Sequence, residues 1–125
     1  ERHESDNEAS LVLKLQFGNQ RVLLPGDIEE QGVQRLVARE QGGFEIMMLP
    51  HHGSQHSLPL QMANWSNPQV VVASTGHSNL PHPVRRIYDA AVARREGSVY
   101  VTSQQGMISV KIGWDGFTTI VAAVP

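Results

Sequence analysis

The sequence predicts an α/β layer fold, with helices on one side of a mixed sheet. Three observations lead there. Apolar runs of strand length alternate with longer stretches of helical periodicity, in the order β-β-α-β-α-β-α-β-β-β. Two of the runs, residues 44–49 and 69–74, are almost unbroken in apolar residues, as strands covered on both faces are. Turn-forming residues bound most of the segments. With 125 residues, 40% of them hydrophobic, the chain has the size and apolar content of one domain with a real core.

Residues 1–9 are polar and charged and read as a frayed lead-in, with residues 10–125 as the domain. The strand at 10–17 alternates Leu11, Leu13, Leu15 and Phe17 on one face with Lys14 and Gln16 on the other. Gly18-Asn19 makes a two-residue hairpin turn in which Gly supplies positive φ, and 20–24 is the return strand. Residues 28–41 form a helix whose apolar stripe is Ile28, Val33, Leu36, Val37 and Ala38, with Gly42-Gly43 as its C-terminal cap. After the strand at 44–49 comes a short helix at 58–64, closed by Trp65-Ser66-Asn67-Pro68. Strand 69–74 precedes a helix at 84–96, with Pro83 in its first position and Val84, Ile87, Tyr88, Ala91 and Val92 as its stripe. Three short strands end the chain, at 98–102, 107–112 and 117–124, with turns at Gln104-Gln105-Gly106 and Trp114-Asp115-Gly116.

Composition excludes several classes. A net charge of −2 carries no global nucleic-acid signature, so a polyanion partner would need a local patch. The absence of cysteine rules out disulfides, thiolate chemistry and Cys-ligated zinc. No apolar run approaches the roughly 18 residues that mark a membrane-spanning helix. The chain opens in Glu1-Arg2-His3-Glu4 with no initiator Met, which reads as a piece cut from something longer.

The chemistry concentrates in three polar clusters, each at the end of an apolar run: Leu24-Pro25-Gly26-Asp27, Leu49-Pro50-His51-His52-Gly53-Ser54, and the stretch from Ser74 to Pro83. Carboxyl ends of neighbouring strands converge on one rim, and an Asp with several His on one rim is metal-ligand chemistry. Asp27 follows a Gly that lets the backbone turn sharply, and its carboxylate can bridge two metal ions; the plain alternative is an N-cap for the helix that follows. Adjacent histidines on extended backbone point opposite ways, so one of His51 and His52 faces a metal while the other acts behind it or on substrate. Gly53 and Ser54 offer backbone and hydroxyl donors to a phosphate, the alternative being a solvated turn.

His82 sits at a helix N-terminus, where it could donate to a phosphate or protonate a leaving group, or simply cap or pack. Arg85 and Arg86 either extend that anion site or form a solvated helix face. His56, Ser57 and His77 read as wet loop residues, and Asn79 is balanced between loop and ligand. Asn64-Trp65-Ser66 matches a glycosylation sequon too short to carry weight.

Together these pieces resemble the C-terminal half of the metallo-β-lactamase-like domain of the ComEC family, the channel proteins of bacterial DNA uptake. That family shows Asn-x-x-Ser-Leu-Val-Leu, then Leu-Leu-Thr-Gly-Asp-Ile-Glu, then Pro-His-His-Gly-Ser, then Ser-x-Gly-x-x-Asn ahead of His-Pro. Here the motifs read Asn7 to Leu13, Leu23 to Glu29, Pro50 to Ser54, and Ser74 to Asn79 with His82-Pro83. The resemblance covers residue 7 to about residue 110, in order.

It implies half of an αβ/βα sandwich bearing a metal-dependent phosphodiesterase or nuclease site. Asp27 would be the carboxylate bridging two metals and His51 the late histidine ligand, with His52 the second choice. His82, Ser54, Asn79 and Arg85 would serve the DNA backbone or the leaving group. The resemblance further implies zinc or manganese, a single-stranded DNA substrate, the remainder of a membrane channel protein as partner, and a domain tethered to the inner membrane facing the periplasm or outside. Two departures stand out: the family's His-x-His-x-Asp-His loop is absent, and Pro25 replaces the usual Thr. The chain is therefore expected to hold half a site, to be inactive alone, and to expose a sheet face prone to self-association. The alternatives are a catalytically inactive DNA-guiding or structural module of the same channel, and a lactonase-like small-molecule hydrolase on the same fold.

Overall fold

In the computed structural model, residues 10–124 are described; the expected lead-in at 1–9 lies outside them. The elements are β1 (Leu13–Phe17), β2 (Gln20–Leu24), α1 (Glu30–Arg39), β3 (Ile46–Met48), α2 (Pro59–Ser66), β4 (Val70–Ala73), α3 (His82–Ala93), β5 (Ser98–Val101), the single turn α4 (Thr102–Gln105), β6 (Ile108–Ile112) and β7 (Thr118–Ala122). A five-stranded sheet runs in the order β1-β2-β3-β4-β5. β1 is antiparallel to β2, and β2 through β5 are parallel. The sheet is mixed, as the sequence predicts.

Each parallel connection steps to the next neighbour through a helix. Because such crossovers are right-handed, stepping always in one direction puts α1, α2 and α3 on the same face. The register supplies that face with its core. Leu23, Met47, Val71 and Val99 lie side by side across four strands and are buried beneath the helices, against Val33, Met62, Val84 and Tyr88. The row beside it, Val22, Ile46 and Val70, points the other way, as the two-residue period of a strand requires.

That other face is not bare. β6 and β7 pair antiparallel as a separate ribbon, and its Ile108, Val110, Ile112 and Ile120 pack on Ile46, Val70 and Val72. This corrects the expectation of an open sheet face over its central strands. On the β1 side the face stays open: Leu13, Leu15 and Met48 are 44%, 52% and 37% exposed. A cleft of about 330 Å³ separates Leu15, Val22 and Leu24 from the ribbon.

Several boundaries differ from expectation for identifiable reasons. Pairing begins at Leu13 rather than at residue 10, because β2 ends opposite it at Leu24. α1 stops at Arg39 with extended Glu40 as its C-cap, so Gly42-Gly43 is not the cap. Those glycines instead admit Trp65. A Cβ on Gly42 would strike the Trp65 carbonyl and its indole, while the Gly43 N–H donates to that carbonyl at 3.0 Å. Arg21 donates to the Gly42 and Gly43 carbonyls at 2.7 Å and lies over the Phe44 ring, 4.2 Å from its centroid. Trp65 is thus part of α2, which ends at Asn67 in the left-handed region. The expected turn at 104–106 begins as the helical turn α4, in which the Gln105 side chain accepts from the Val101 N–H at 2.9 Å.

Gly42→Ala is expected to destabilise the protein by about 1–3 kcal/mol in urea unfolding, because the Trp65 backbone cannot yield. Gly76→Ala, with nothing within 4 Å of the new methyl, should stay within about 0.5 kcal/mol of the parent. Tyr88 is 1% exposed, and burial pushes its phenol well above the usual tyrosine range. The folded state therefore favours the neutral phenol, so this contribution is intact below about pH 10 and falls as pH rises further. Tyr88→Phe should flatten that alkaline loss, read as urea midpoints between neutrality and about pH 11.

Candidate functional site

The parallel strands β2, β3, β4 and β5 all end at the same rim, and their exits carry the polar clusters. After β2 the chain passes buried Pro25 and turns at Gly26, whose φ is +65°. A side chain there would run into Ser10 and into the Leu11 carbonyl at 2.7 Å, so glycine is required twice over. The Asp27 N–H donates to Ser10 Oγ at 2.9 Å, and the Gly26 carbonyl accepts from the His51 N–H at 2.9 Å. The second bond ties the exit of β2 to the exit of β3.

Asp27 is not a helix cap. α1 starts at Glu30, its N-cap is Glu29, and no side chain caps it. The Asp27 carboxylate is left to face the rim, with Oδ1 3.5 Å from His52 Nε2.

The backbone at the two histidines is not extended, contrary to the sequence reading. His51 (φ 48°, ψ 48°) and His52 (φ 55°, ψ 27°) are left-handed, and Gly53 follows at φ 86°. Each non-glycine residue in that region costs roughly 1–2 kcal/mol. The turn is held by the bond to Gly26, by the Ser54 N–H donating to the His51 carbonyl at 3.0 Å, and by the burial of Leu49, Pro50 and Gly53. Both rings emerge near the rim, their centroids 6.3 Å apart.

Their partners differ. His51 Nδ1 lies 2.8 Å from Glu29 Oε1. His52 Nδ1 lies 2.8 Å from the Ser74 carbonyl at the exit of β4. A carbonyl only accepts, so His52 Nδ1 carries the proton. In the neutral ring Nε2 is then a lone pair aimed toward Asp27. A metal-binding histidine is prepared in the same way, by an N–H bond that fixes its tautomer. At 3.5 Å the two groups are too far apart for a good direct hydrogen bond, and two facing electron donors attract whatever cation or proton sits between them. Asp27 and His52 are donors of the right chemical kind for a metal. Among the described residues, no group of three His, Cys, Asp or Glu side chains is placed to hold one.

The third loop, from Ser74 to Pro81, is clamped from the turn that follows β5. Thr102 Oγ1 accepts from the Thr75 N–H at 2.9 Å and donates to the Thr75 carbonyl at 2.8 Å, and the Ser103 N–H donates to Thr75 Oγ1 at 3.2 Å. Asn79 Oδ1 is 3.5 Å from Ser103 Oγ. His82 is the first residue of α3 and is exposed, as is His77. Ser54 Oγ accepts from the His56 N–H at 3.1 Å, within its own turn. Arg85 is turned along α3 to Asp89, at 3.0 and 3.1 Å, and reaches Gln104 at 3.4 Å. Ser57 is no wet loop residue: it is 2% exposed and donates to the Ile28 carbonyl at 2.9 Å. The sequence reading did not single out Glu29, the Ser74 carbonyl, Thr102 or Ser103. Thr102 and Ser103 follow a parallel strand as the other clusters do, and that position was the available signal.

Since Asp27 caps no helix, Asp27→Ala should change urea stability by less than about 0.5 kcal/mol. Loss of a true cap would cost about 1 kcal/mol, and a loss of that size would restore the capping role.

No protein-family model matches the chain, and neither does any solved structure. Curated relatives do. The chain is 33% identical over 85 residues to Competence protein ComA of Neisseria gonorrhoeae, covering 66% of this chain and 12% of that protein. It is 33% identical over 81 residues to Recombination protein 2 of Haemophilus influenzae, covering 62% and 10%. With ComE operon protein 3 of Bacillus subtilis it shares 27% identity over 108 residues, covering 86% and 14%. The matched region is thus a small part, 10 to 14%, of each of these much longer relatives. These matches bear out the resemblance read from the motifs: over most of its length the chain is similar to a segment of ComEC-like competence proteins.

Proposed function

We propose that this chain carries the later half of a metal-dependent phosphodiester-hydrolysing site, on a metallo-β-lactamase-type sandwich, within a DNA-uptake protein. One observation carries the reading: Asp27 Oδ1 and a tautomer-fixed His52 Nε2 face each other across 3.5 Å at the carboxyl rim of the sheet. Asp27 and His52 would supply two donors, and the remaining donors would come from outside the described residues. A carboxylate with an imidazole suits zinc or manganese. The metal, when bound, would supply Lewis acidity toward a phosphodiester oxygen.

The chain's own residues have defined tasks in this scheme. The Ser74 carbonyl orients His52, and Thr102 holds the backbone beside Ser74 through Thr75. Glu29 orients His51, which we assign to substrate or to a supporting contact rather than to the metal. The amino end of α3 favours an anion, and the exposed His82 there is placed to pass a proton to a leaving oxygen. Asn79 lies on the loop leading to that end. Arg85 is held by Asp89, so we assign it to the helix surface.

The substrate we propose is single-stranded DNA, and the partner is the rest of a membrane protein. No helix among the described residues is long and apolar enough to cross a membrane, so the tether would belong to that remainder.

The test is cleavage of end-labelled single-stranded DNA by the parent polypeptide with added Mn²⁺ or Zn²⁺ and with EDTA. Cleavage should require metal and fall at least about 100-fold in Asp27→Ala and in His52→Ala, with a smaller loss in His51→Ala. Unimpaired cleavage in Asp27→Ala would sink the assignment. A folded protein that cleaves under no metal would favour a non-catalytic, DNA-guiding module.

A further inference from the structure

On the helix layer, α2 and α3 leave a groove of about 530 Å³ between them, running from near their amino ends toward the far end of α3. Its lining includes the apolar Leu60, Ala63, Ile87 and Ala90, together with Arg86 and Arg94. Leu60 is 60% exposed, although α2 carries no charged residue that would give it another reason to face solvent. Of the arginines in the first turn of α3, Arg85 is paired with Asp89. Arg86 and Arg94 have no carboxylate partner among the described residues. They stand eight residues apart, roughly 12 Å along α3. In a chain of net charge −2, this is a local surplus of positive charge beside an apolar floor.

We infer that this groove docks an acidic amphipathic helix. Two carboxylates about two turns apart on such a helix match the separation of Arg86 and Arg94. Apolar side chains on the same face would enter between Leu60 and Ile87. Ala63 and Ala90, being small, let the incoming backbone come close. A flat anionic lipid surface fits less well: it would meet the arginines without reaching a floor recessed between two helices. The inference does not depend on metal chemistry at the rim.

The probe is a pair of lactam-stapled peptides of about 15 residues, with one Leu face and either two Glu or two Lys set eight positions apart. Binding to the full chain is measured by fluorescence anisotropy, beside a flotation assay with phosphatidylglycerol vesicles. The Glu peptide should bind saturably and at least about tenfold more tightly than the Lys peptide, with affinity falling as salt is raised. In the double variant Arg86→Glu, Arg94→Glu the preference should reverse, a result that misfolding cannot imitate. Ala90→Trp, which fills the groove, should abolish binding of both peptides while the circular dichroism spectrum is retained. Saturation by neither peptide, a preference indifferent to the charge reversal, or binding to vesicles alone would each overturn the proposal.

Discussion

The structure depends on one row of side chains. Leu23, Met47, Val71 and Val99 lie abreast across β2 to β5 and are buried under the three helices, the first three completely and Val99 to 7% exposure. Because side chains alternate along a strand, a one-residue slip of any of the four would turn its member of the row toward the ribbon and bring a neighbour into the core. Burial of the row therefore fixes the register of the sheet. The register in turn fixes the rim. Four residues beyond each member of the row stand Asp27, His51, Thr75 and Ser103, and each takes part in the contacts at the strand exits. The polar site is aligned by apolar packing some distance below it.

At one of the four exits the backbone departs from what packing alone would favour. His51 and His52 occupy left-handed conformations at a combined cost of about 2–4 kcal/mol. Burying a leucine such as Leu49 contributes on the order of 1.5–3 kcal/mol, and the bonds to Gly26 and from Ser54 add to it, so the turn can persist. The left-handed turn brings both imidazoles near the rim, one toward Glu29 and the other toward Asp27 and the Ser74 carbonyl. An extended strand would have sent them to opposite faces. Strain of this kind persists where the surroundings over-determine it, and such places are often functional.

The sequence was legible where periodicity and burial agree. The Gly18-Asn19 hairpin, the Val-rich β4 and the apolar stripes of α1 and α3 all appear near their expected positions. It was less legible where a long-range contact decides. Gly42-Gly43 looks like a helix cap because glycines usually end helices, but here they make room for Trp65, 22 or 23 residues further on. Asp27 looks like an N-cap because the apolar stripe begins at Ile28, yet the helix starts at Glu30. The strands β6 and β7 and the turn between them were visible, but their packing against the far face of the sheet was not, since a strand-like run does not name what covers it. In the site, the clusters after β2, β3 and β4 announced themselves through His and Asp. Thr102 and Ser103 did not, because hydroxyls that clamp a loop look like any polar turn.

The Asp27–His52 pair is poorly suited to a purely structural role. The two side chains are 48% and 63% exposed, and a pair so open to solvent adds at most about 1 kcal/mol to stability. Yet the His52 ring is held by the exit of one strand and the Asp27 backbone by Ser10, while a backbone bond joins their two loops. Orienting two exposed side chains sacrifices conformational freedom that the pair's own attraction scarcely offsets. A neutral His52 fixed with its lone pair outward makes no favourable hydrogen bond to a carboxylate on its own. The arrangement would become favourable with a positive charge between the two groups, as in the metal-site reading proposed above. Preorganisation of this sort lowers the ordering cost of binding, which is an advantage to a ligand site and of little use to a scaffold.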